Sequence, residues 1–373
     1  MQTKLALFTA VATAAACFMP TTASAALLVN GNLAVYRVGD GVATLGTSAA
    51  AVFVDEYTPT GSLVQSIAMP TVASGTQLAL VGQGSANAEG FLTLSADGQY
   101  LSLAGYNTPV GTASPSGTAA GTARTIGRIA VNSGAIDTST GITDIGGSAR
   151  GAFSTNGTDV FYAASTGGYR ATTNGTSGAS TQLVTTPTNN RVIRAFAGQL
   201  YGSTGSGTTR IGTIGTGTST ASGQTFTALP GISSTNVVSG YGFYLADLSA
   251  SVAGLDTLYI ADDSATLGGV QKYSLVAGTW TSNGTIGIAA AGYRGLDAAV
   301  TASGVQLYAV RGGNEIVSLL DTAGYNAAFS TSTFTSVATA PTNTGFRGIA
   351  YVPEPASLAV IGMAGLLIGR RRR

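Results

Sequence analysis

One loosely repeated unit limits the folds open to this chain more than any other feature. It is a short apolar run near Arg-Gly, a polar turn, and a second run rich in Tyr and Leu. Glu89-Gly90-Phe91-Leu92-Thr93-Leu94 leads through Ala96-Asp97-Gly98 to Gln99-Tyr100-Leu101-Ser102-Leu103. Arg150-Gly151-Ala152-Phe153 leads through Thr155-Asn156-Gly157 to Asp159-Val160-Phe161-Tyr162. Arg194-Ala195-Phe196 leads to Gln199-Leu200-Tyr201, and Arg294-Gly295-Leu296-Asp297 leads to Gln306-Leu307-Tyr308. A weaker copy covers 242–247 and 255–261. Asp97-Gly98 and Asn156-Gly157 suit tight hairpins, because glycine accepts positive φ at little cost.

Successive copies begin 44 to 61 residues apart, close to the length of a four-stranded propeller blade. Period-two apolar runs at 33–38, 51–57, 91–95, 100–104, 160–164, 257–261 and 306–310 predict strands, and no amphipathic helix of convincing length interrupts them. The class is therefore all-β. Residues 124–131 before Asn132-Ser133-Gly134, and 269–275 before Val276-Ala277-Gly278, read as third strands. The segment 203–225 reads as loops flanking one strand near 209–214.

Phe346-Arg347-Gly348-Ile349-Ala350-Tyr351 resembles another first strand with no partner after it, while 33–69 holds strands without an obvious first one. Pairing the two chain ends would close a ring and leave no free sheet edge between them. Starts at 89, 150, 194, about 241, 294 and 347 predict a six-bladed β-propeller over 26–352. Seven blades and a parallel β-helix are the alternatives, but β-helix rungs would recur every ~20–25 residues, a period the sequence lacks.

The sequence has one cysteine, Cys17, and no histidine. That removes Cys/His zinc sites, Ser-His-Asp and Cys-His nucleophiles, and disulfide staples in the body of the chain. No cofactor or metal site is expected. Charged residues are 9% of the chain; without Lys4, Glu354 and the last four arginines, 12 basic residues face 15 acidic ones, a net charge of −3. A nucleic-acid partner would need a basic face that this composition does not supply.

Both ends read as addresses. Lys4, the apolar stretch 5–19 and Ala23-Ser24-Ala25 form a signal peptide, with cleavage expected after Ala25 and Ala23 at the other small-residue position (domain 1–25). A lipoprotein reading of Ala14-Ala15-Ala16-Cys17 is weakened by Ala rather than Leu three residues before the cysteine. At 353–373, Pro353-Glu354-Pro355 precedes an apolar run, 356–369, and then Arg370, Arg371, Arg372 and Arg373. The triplet continues neither helix nor ladder, the run can enter a bilayer as a short helix, and the arginines hold its end in the cytoplasm. Fourteen residues span only ~21 Å of a ~30 Å hydrocarbon core, so the run makes a poor permanent anchor.

The order of these parts resembles the PEP-CTERM sorting signal of Gram-negative, biofilm-forming bacteria. The resemblance implies an exosortase and the secretion machinery as partners, passage through the inner membrane, cleavage near the triplet, and delivery to the cell surface or an exopolysaccharide matrix. An ordinary C-terminal membrane anchor is the alternative.

Within the body of the chain, Arg150, Arg194, Arg294 and Arg347 open successive copies of the repeat. If first strands line an axial channel, these guanidiniums can gather to bind carboxylate or phosphate groups, as in an acidic polysaccharide. They can equally pair with acids or carbonyls of neighbouring blades, a role that Glu89 at the equivalent place fits well. Asp247, Asp256, Asp262 and Asp263 match no calcium loop and read as solvated loop carboxylates. Asp297 and Glu315 are candidates for a glycosidase pair, and Trp280 and the tyrosines for sugar stacking or blade packing. The expected function is a non-enzymatic glycan- or matrix-binding propeller. The alternative is an extracellular polysaccharide hydrolase or lyase using carboxylate or arginine/tyrosine chemistry.

Overall fold

In the computed structural model the described residues are 26–118, 120–331 and 333–354. The expected signal-peptide helix and the sorting tail from Pro355 onward lie outside them. Helix among the described residues amounts to one 3-10 turn, Pro115–Gly117, and none of their helices is long and apolar enough to cross a membrane.

Strands fill the rest. The first group is β1 (Leu33–Val38), β2 (Ala49–Tyr57) and β3 (Leu63–Ala68), followed by a short β4 (Val81–Gln83). Next come β5 (Thr93–Leu94), β6 (Tyr100–Tyr106), β7 (Arg124–Ala130) and β8 (Ile136–Ile142), then β9 (Ala149–Phe153), β10 (Asp159–Ala164), β11 (Tyr169–Thr173), β12 (Ser177–Gly178) and β13 (Thr181–Val184). They are followed by β14 (Asn190–Phe196), β15 (Gln199–Thr204), β16 (Ile211–Ile214) and β17 (Phe226–Ala228), and by β18 (Gly240–Ala246), β19 (Thr257–Asp262), β20 (Gly269–Val276) and β21 (Thr279–Ile286). The chain ends with β22 (Tyr293–Thr301), β23 (Gly304–Arg311), β24 (Glu315–Asp321), β25 (Thr335–Thr339) and β26 (Gly345–Tyr351).

Four sheets have four strands each: β9–β10–β11–β13, β14–β15–β16–β17, β18–β19–β20–β21 and β22–β23–β24–β25. The remaining strands form a ten-stranded sheet in which β4 links β2 to β6, and β12 lies parallel to β8. The last strand returns to the first. β26 pairs antiparallel with β1, Leu33 opposite Tyr351 and Val38 opposite Gly345, so the chain ends share one sheet. The architecture is all-β and propeller-like.

Apolar side chains meet between neighbouring sheets instead of in one central mass. Tyr106 and Ile126 pack on Ala149 and Tyr162; Phe153, Phe161 and Tyr169 pack on Ile193 and Leu200; Leu33 and Val35 pack on Tyr308 and Val310. Each sheet is thus stabilised by its neighbours. The Glu89 copy departs from the expected 91–95 strand, because β5 is reduced to Thr93–Leu94. Phe91 N donates instead to Arg150 O at 2.8 Å, across to the neighbouring sheet.

Candidate functional site

A register irregularity recurs in the innermost strands and sets the geometry of the site. In β9, Ala149 faces Ala164 and Gly151 faces Ala163, which leaves Arg150 as the extra residue. In β14, Asn190 faces Thr204 and Ile193 faces Gly202, so Arg191-Val192 stands opposite Ser203 alone. The same two-against-one arrangement places Tyr241-Gly242 opposite Ala261, Arg294-Gly295 opposite Val310, and Arg347-Gly348 opposite Tyr36. Each is a β-bulge, which kinks the strand and re-aims a side chain. Four of these five bulges carry an arginine.

The glycine that follows has a steric reason. A Cβ on Gly295 would lie 2.5 Å from Arg347 O, one on Gly242 2.7 Å from Arg294 O, and one on Gly348 would overlap Leu92 N. Consecutive inner strands therefore touch backbone to backbone. Gly348 N donates to Gly90 O at 2.9 Å, which continues the contact past the chain ends. Between these strands the axis narrows to a cavity of about 10 Å³ lined by Phe91, Leu92, Val192, Arg194, Leu296 and Ile349. That is room for about one water.

The bulge arginines differ in how they are satisfied. Arg347 donates Nε to Ala86 O (2.8 Å), Nη2 to Gly84 O (2.7 Å) and Nη1 to Phe346 O (2.9 Å). Burial pushes its pKa down to about 10, and the Arg294 charge adds to that effect. Arg294 pairs through Nε with Asp263 Oδ2 at 2.8 Å and keeps 21% of its side chain exposed. Arg191 lies with its guanidinium 3.7 Å from the Tyr241 ring centroid, and its Nη1 donates to Gly240 O at 2.8 Å and Ser239 Oγ at 3.1 Å. Burial, helped by the Arg150 charge, holds Arg191 below the usual arginine range. Arg150 donates Nη2 to Asn189 Oδ1 at 2.9 Å, while its buried Nε and Nη1 meet no acceptor.

Glu89 belongs to the same end of the ring. Its Oε1 accepts Tyr106 OH at 2.6 Å, and Tyr106 OH in turn accepts Ala149 N at 2.9 Å. Burial raises the Glu89 pKa above the carboxylate range despite the Tyr106 bond and the nearby Arg150 charge. Its Oε2 is buried without a hydrogen-bond partner.

The structure departs from several sequence expectations. Arg194 does not share the register of Arg150, Arg294 and Arg347; it lies three residues, about 10 Å, further along its strand. There it pairs with Asp297 at 2.8 Å and stands over Phe196. Arg191 takes its place, and the missing Arg-Gly pair hid it, since Val192 follows where glycine was the signal. Asp256 and Asp262 are fully buried instead of solvated, because each accepts backbone amides: Leu248 and Ser249 for Asp256, Ser239 and Ser264 for Asp262. Among the described residues no three acids gather as metal ligands. Asp297 and Glu315 are each paired, to Arg194 and Arg311, and Trp280 is buried in an apolar cluster with Tyr273. Pro353 and Glu354 follow directly on β26, with Val352 O accepting Gly31 N at 2.7 Å.

No protein-family model matches this chain, and no curated protein matches it. Among solved structures it is similar to a nidogen/laminin complex chain at 13% identity and TM-score 0.49, covering 86% of this chain and 97% of that one. It is also similar to a Bacteroides uniformis protein assigned as a 6-phosphogluconolactonase, at 14% identity and TM-score 0.44, covering 84% of each chain. A third is the periplasmic gluconolactonase of Pseudomonas aeruginosa, at 12% identity and TM-score 0.41, covering 83% of each.

Proposed function

We propose that this protein is an exported, non-enzymatic propeller of six blades that binds an acidic glycan at its arginine-bearing mouth. The six are the four separate sheets plus two four-strand runs within the ten-stranded sheet, β26–β1–β2–β3 and β5–β6–β7–β8. The observation that carries the binding reading is Arg294, the one of four inner-strand bulge arginines whose side chain keeps 21% of its surface exposed. Guanidiniums are weakly hydrated and suit carboxylates, and Arg294 is the most open of the four. Tyr241, itself buried, lies under the Arg191 guanidinium and near Arg294, and helps to hold both in place.

The route to the surface is proposed from the two chain ends: removal of 1–25, transient insertion of the tail in the inner membrane, and exosortase cleavage near Pro353-Glu354-Pro355. A cut there severs no ladder bond, since the last backbone bonds of the sheet end at Val352. Intact mass of the protein from its host, with and without an exosortase deletion, tests this. The expected species begins at Ala26, ends near 353–355 and disappears in the deletion strain; a species keeping Arg373 in both overturns it.

Binding is tested with polygalacturonate as probe, against a neutral glucan. The expected result is salt-sensitive binding of the polyuronate alone, weakened about tenfold by Arg294→Gln, the loss of one charge-assisted bond. Equal binding of both polymers, or of neither, overturns the glycan reading. A polysaccharide hydrolase or lyase is the second reading, favoured by one observation: Glu89 is an acid with a raised pKa beside Arg150. Release of reducing ends from an acidic polysaccharide, abolished by Glu89→Gln, would decide for it.

A further inference from the structure

Two neighbouring bulges present buried donors that nothing in the protein satisfies. Arg150 Nε, Arg150 Nη1 and Arg191 Nε are each sealed from solvent and find no acceptor. The residues are 9% and 7% exposed. Leaving even one buried polar group unpaired costs about 1–3 kcal/mol, more when it is charged, so three at one place need a physical explanation.

The two guanidiniums are also neighbours: Arg150 Nη2 donates to Asn189 Oδ1 at 2.9 Å, and Asn189 Nδ2 and Arg191 Nη2 both lie 2.6 Å from where a Cβ on Gly205 would stand. Both are held in place on their other sides, Arg150 by Asn189 Oδ1 and Arg191 by Gly240 O and the Tyr241 ring. The charges that face Arg191 besides Arg150 are Asp262, which accepts the Ser239 and Ser264 amides, Asp263, already paired with Arg294, and Arg210. Glu89 faces Arg150, but its Oε1 is engaged by Tyr106 and its carboxyl makes no hydrogen bond to Arg150. Protein groups thus leave the three donors without an acceptor.

We infer that the space between Arg150 and Arg191 is a binding site for a small monoanion of the halide class, chloride in the cell's surroundings. A guanidinium N–H has no acceptor capacity, so the site calls for a group that only accepts. A water offers two acceptor positions to three donors and brings no negative charge to the two guanidiniums. A halide accepts from all three and supplies that charge. Because the atoms are sealed, a polymer carboxylate does not reach them, and this site is separate from the glycan reading of the outer mouth. Its role is to tie β9 to β14, two strands of adjacent sheets.

The test is thermal unfolding of the full-length protein in sodium chloride or bromide against sodium gluconate at matched ionic strength, followed by bromide-edge anomalous diffraction. The expected result is a midpoint that rises by about 2–4 °C when halide is far above its dissociation constant, with no such rise in gluconate. Arg150→Gln should lose the halide-specific increment while keeping the common salt effect. In crystals a bromide peak should stand between the Arg150 and Arg191 guanidiniums. Equal midpoints in halide and gluconate, or no anomalous peak there, overturn the inference. The diffraction arm needs no variant, so a misfolded Arg150→Gln leaves the question answerable. Because polyuronate binding is read separately, halide-insensitive protein that still binds polyuronate sinks this inference alone.

Discussion

The Lys272 ammonium lies 2.7 Å from Asp321 Oδ2, and both side chains are completely excluded from solvent. Lys272 is on β20 and Asp321 closes β24, so the pair ties two neighbouring sheets. The surroundings complete its hydrogen bonding: Tyr259 OH donates to the same Oδ2 at 2.7 Å, and Lys272 Nζ also donates to Gly324 O at 2.7 Å. Burial alone would raise the Asp321 pKa, but the Lys272 and Tyr259 bonds outweigh it and hold the carboxyl below its ordinary value.

Removing one partner strands the other charge. Lys272→Met is expected to destabilise the protein by about 3–5 kcal/mol, and Lys272→Met with Asp321→Asn to recover much of that, because burial without a lone charge costs far less. Urea unfolding of the two variants checks this. A double variant as unstable as the single one would mean that the pair acts through packing.

The axial glycines make a sharper steric prediction. Gly348 does not have a left-handed φ, so its substitution tests space and not backbone strain. Gly348→Ala would drive a methyl into Leu92 N and Gly90 O, at the contact that follows β26 around the ring. Both are backbone atoms of an inner segment that cannot rotate away, and overpacking of this kind costs up to about 3 kcal/mol. Gly278→Ala is the control, with φ +81° but nothing within 4 Å of the added carbon. Its expected cost is only ~1 kcal/mol of left-handed strain. Equal melting temperatures for the two would show that the inner strands move apart freely.

Much of the fold was readable from the chain because its signals are local. The alternation Leu33-Ala34-Val35-Tyr36-Arg37-Val38 matches β1 end to end, and the unpaired look of 346–351 pointed to the bond between β26 and β1. The site was harder to read. A bulge is defined by what lies opposite, and a single chain pass cannot see that Ser203 faces two residues while Leu200 faces one. Arg194 therefore looked like a repeat start and Arg191 did not. The burial of Asp256 and Asp262 was missed for a related reason: the amides they accept come from loops up to 23 residues away.

The closing pair predicts a difference between two truncations. Ending the chain at Glu354 removes only residues beyond the last ladder bonds of β26. Ending it at Pro341 removes β26, the partner of β1, and exposes Leu33 and Val35 along with Val310 and Ile316, which Phe346 and Ile349 help to cover. The longer truncation is expected to lose cooperative unfolding, while the shorter one keeps the melting temperature of the full chain. If the chain ending at Pro341 unfolds as cooperatively as the full protein, closure by the chain ends is not what holds the sheets together.

Acid should weaken the protein through Asp137. Its Oδ1 accepts Ser139 N at 2.9 Å and Ser139 Oγ at 2.6 Å, and its Oδ2 accepts Asn174 Nδ2 at 2.8 Å and Arg128 Nη2 at 3.0 Å. Partial burial pushes its pKa up, but these bonds prevail and lower it from 3.8 to about 2. A carboxyl that ionises more readily in the folded state contributes stability above its unfolded pKa. As pH falls through 3.8 the unfolded chain takes up the proton first, so the contribution fades and is gone below about 2. Asp137→Asn removes the titration but keeps the shape. Urea midpoints measured from pH 6 to pH 2 should therefore show the wild type more stable near neutrality and the two converging in that acid window. A difference that stays constant down to pH 2 would show that protonation of Asp137 does not drive the change, and that some other acid governs the loss of stability.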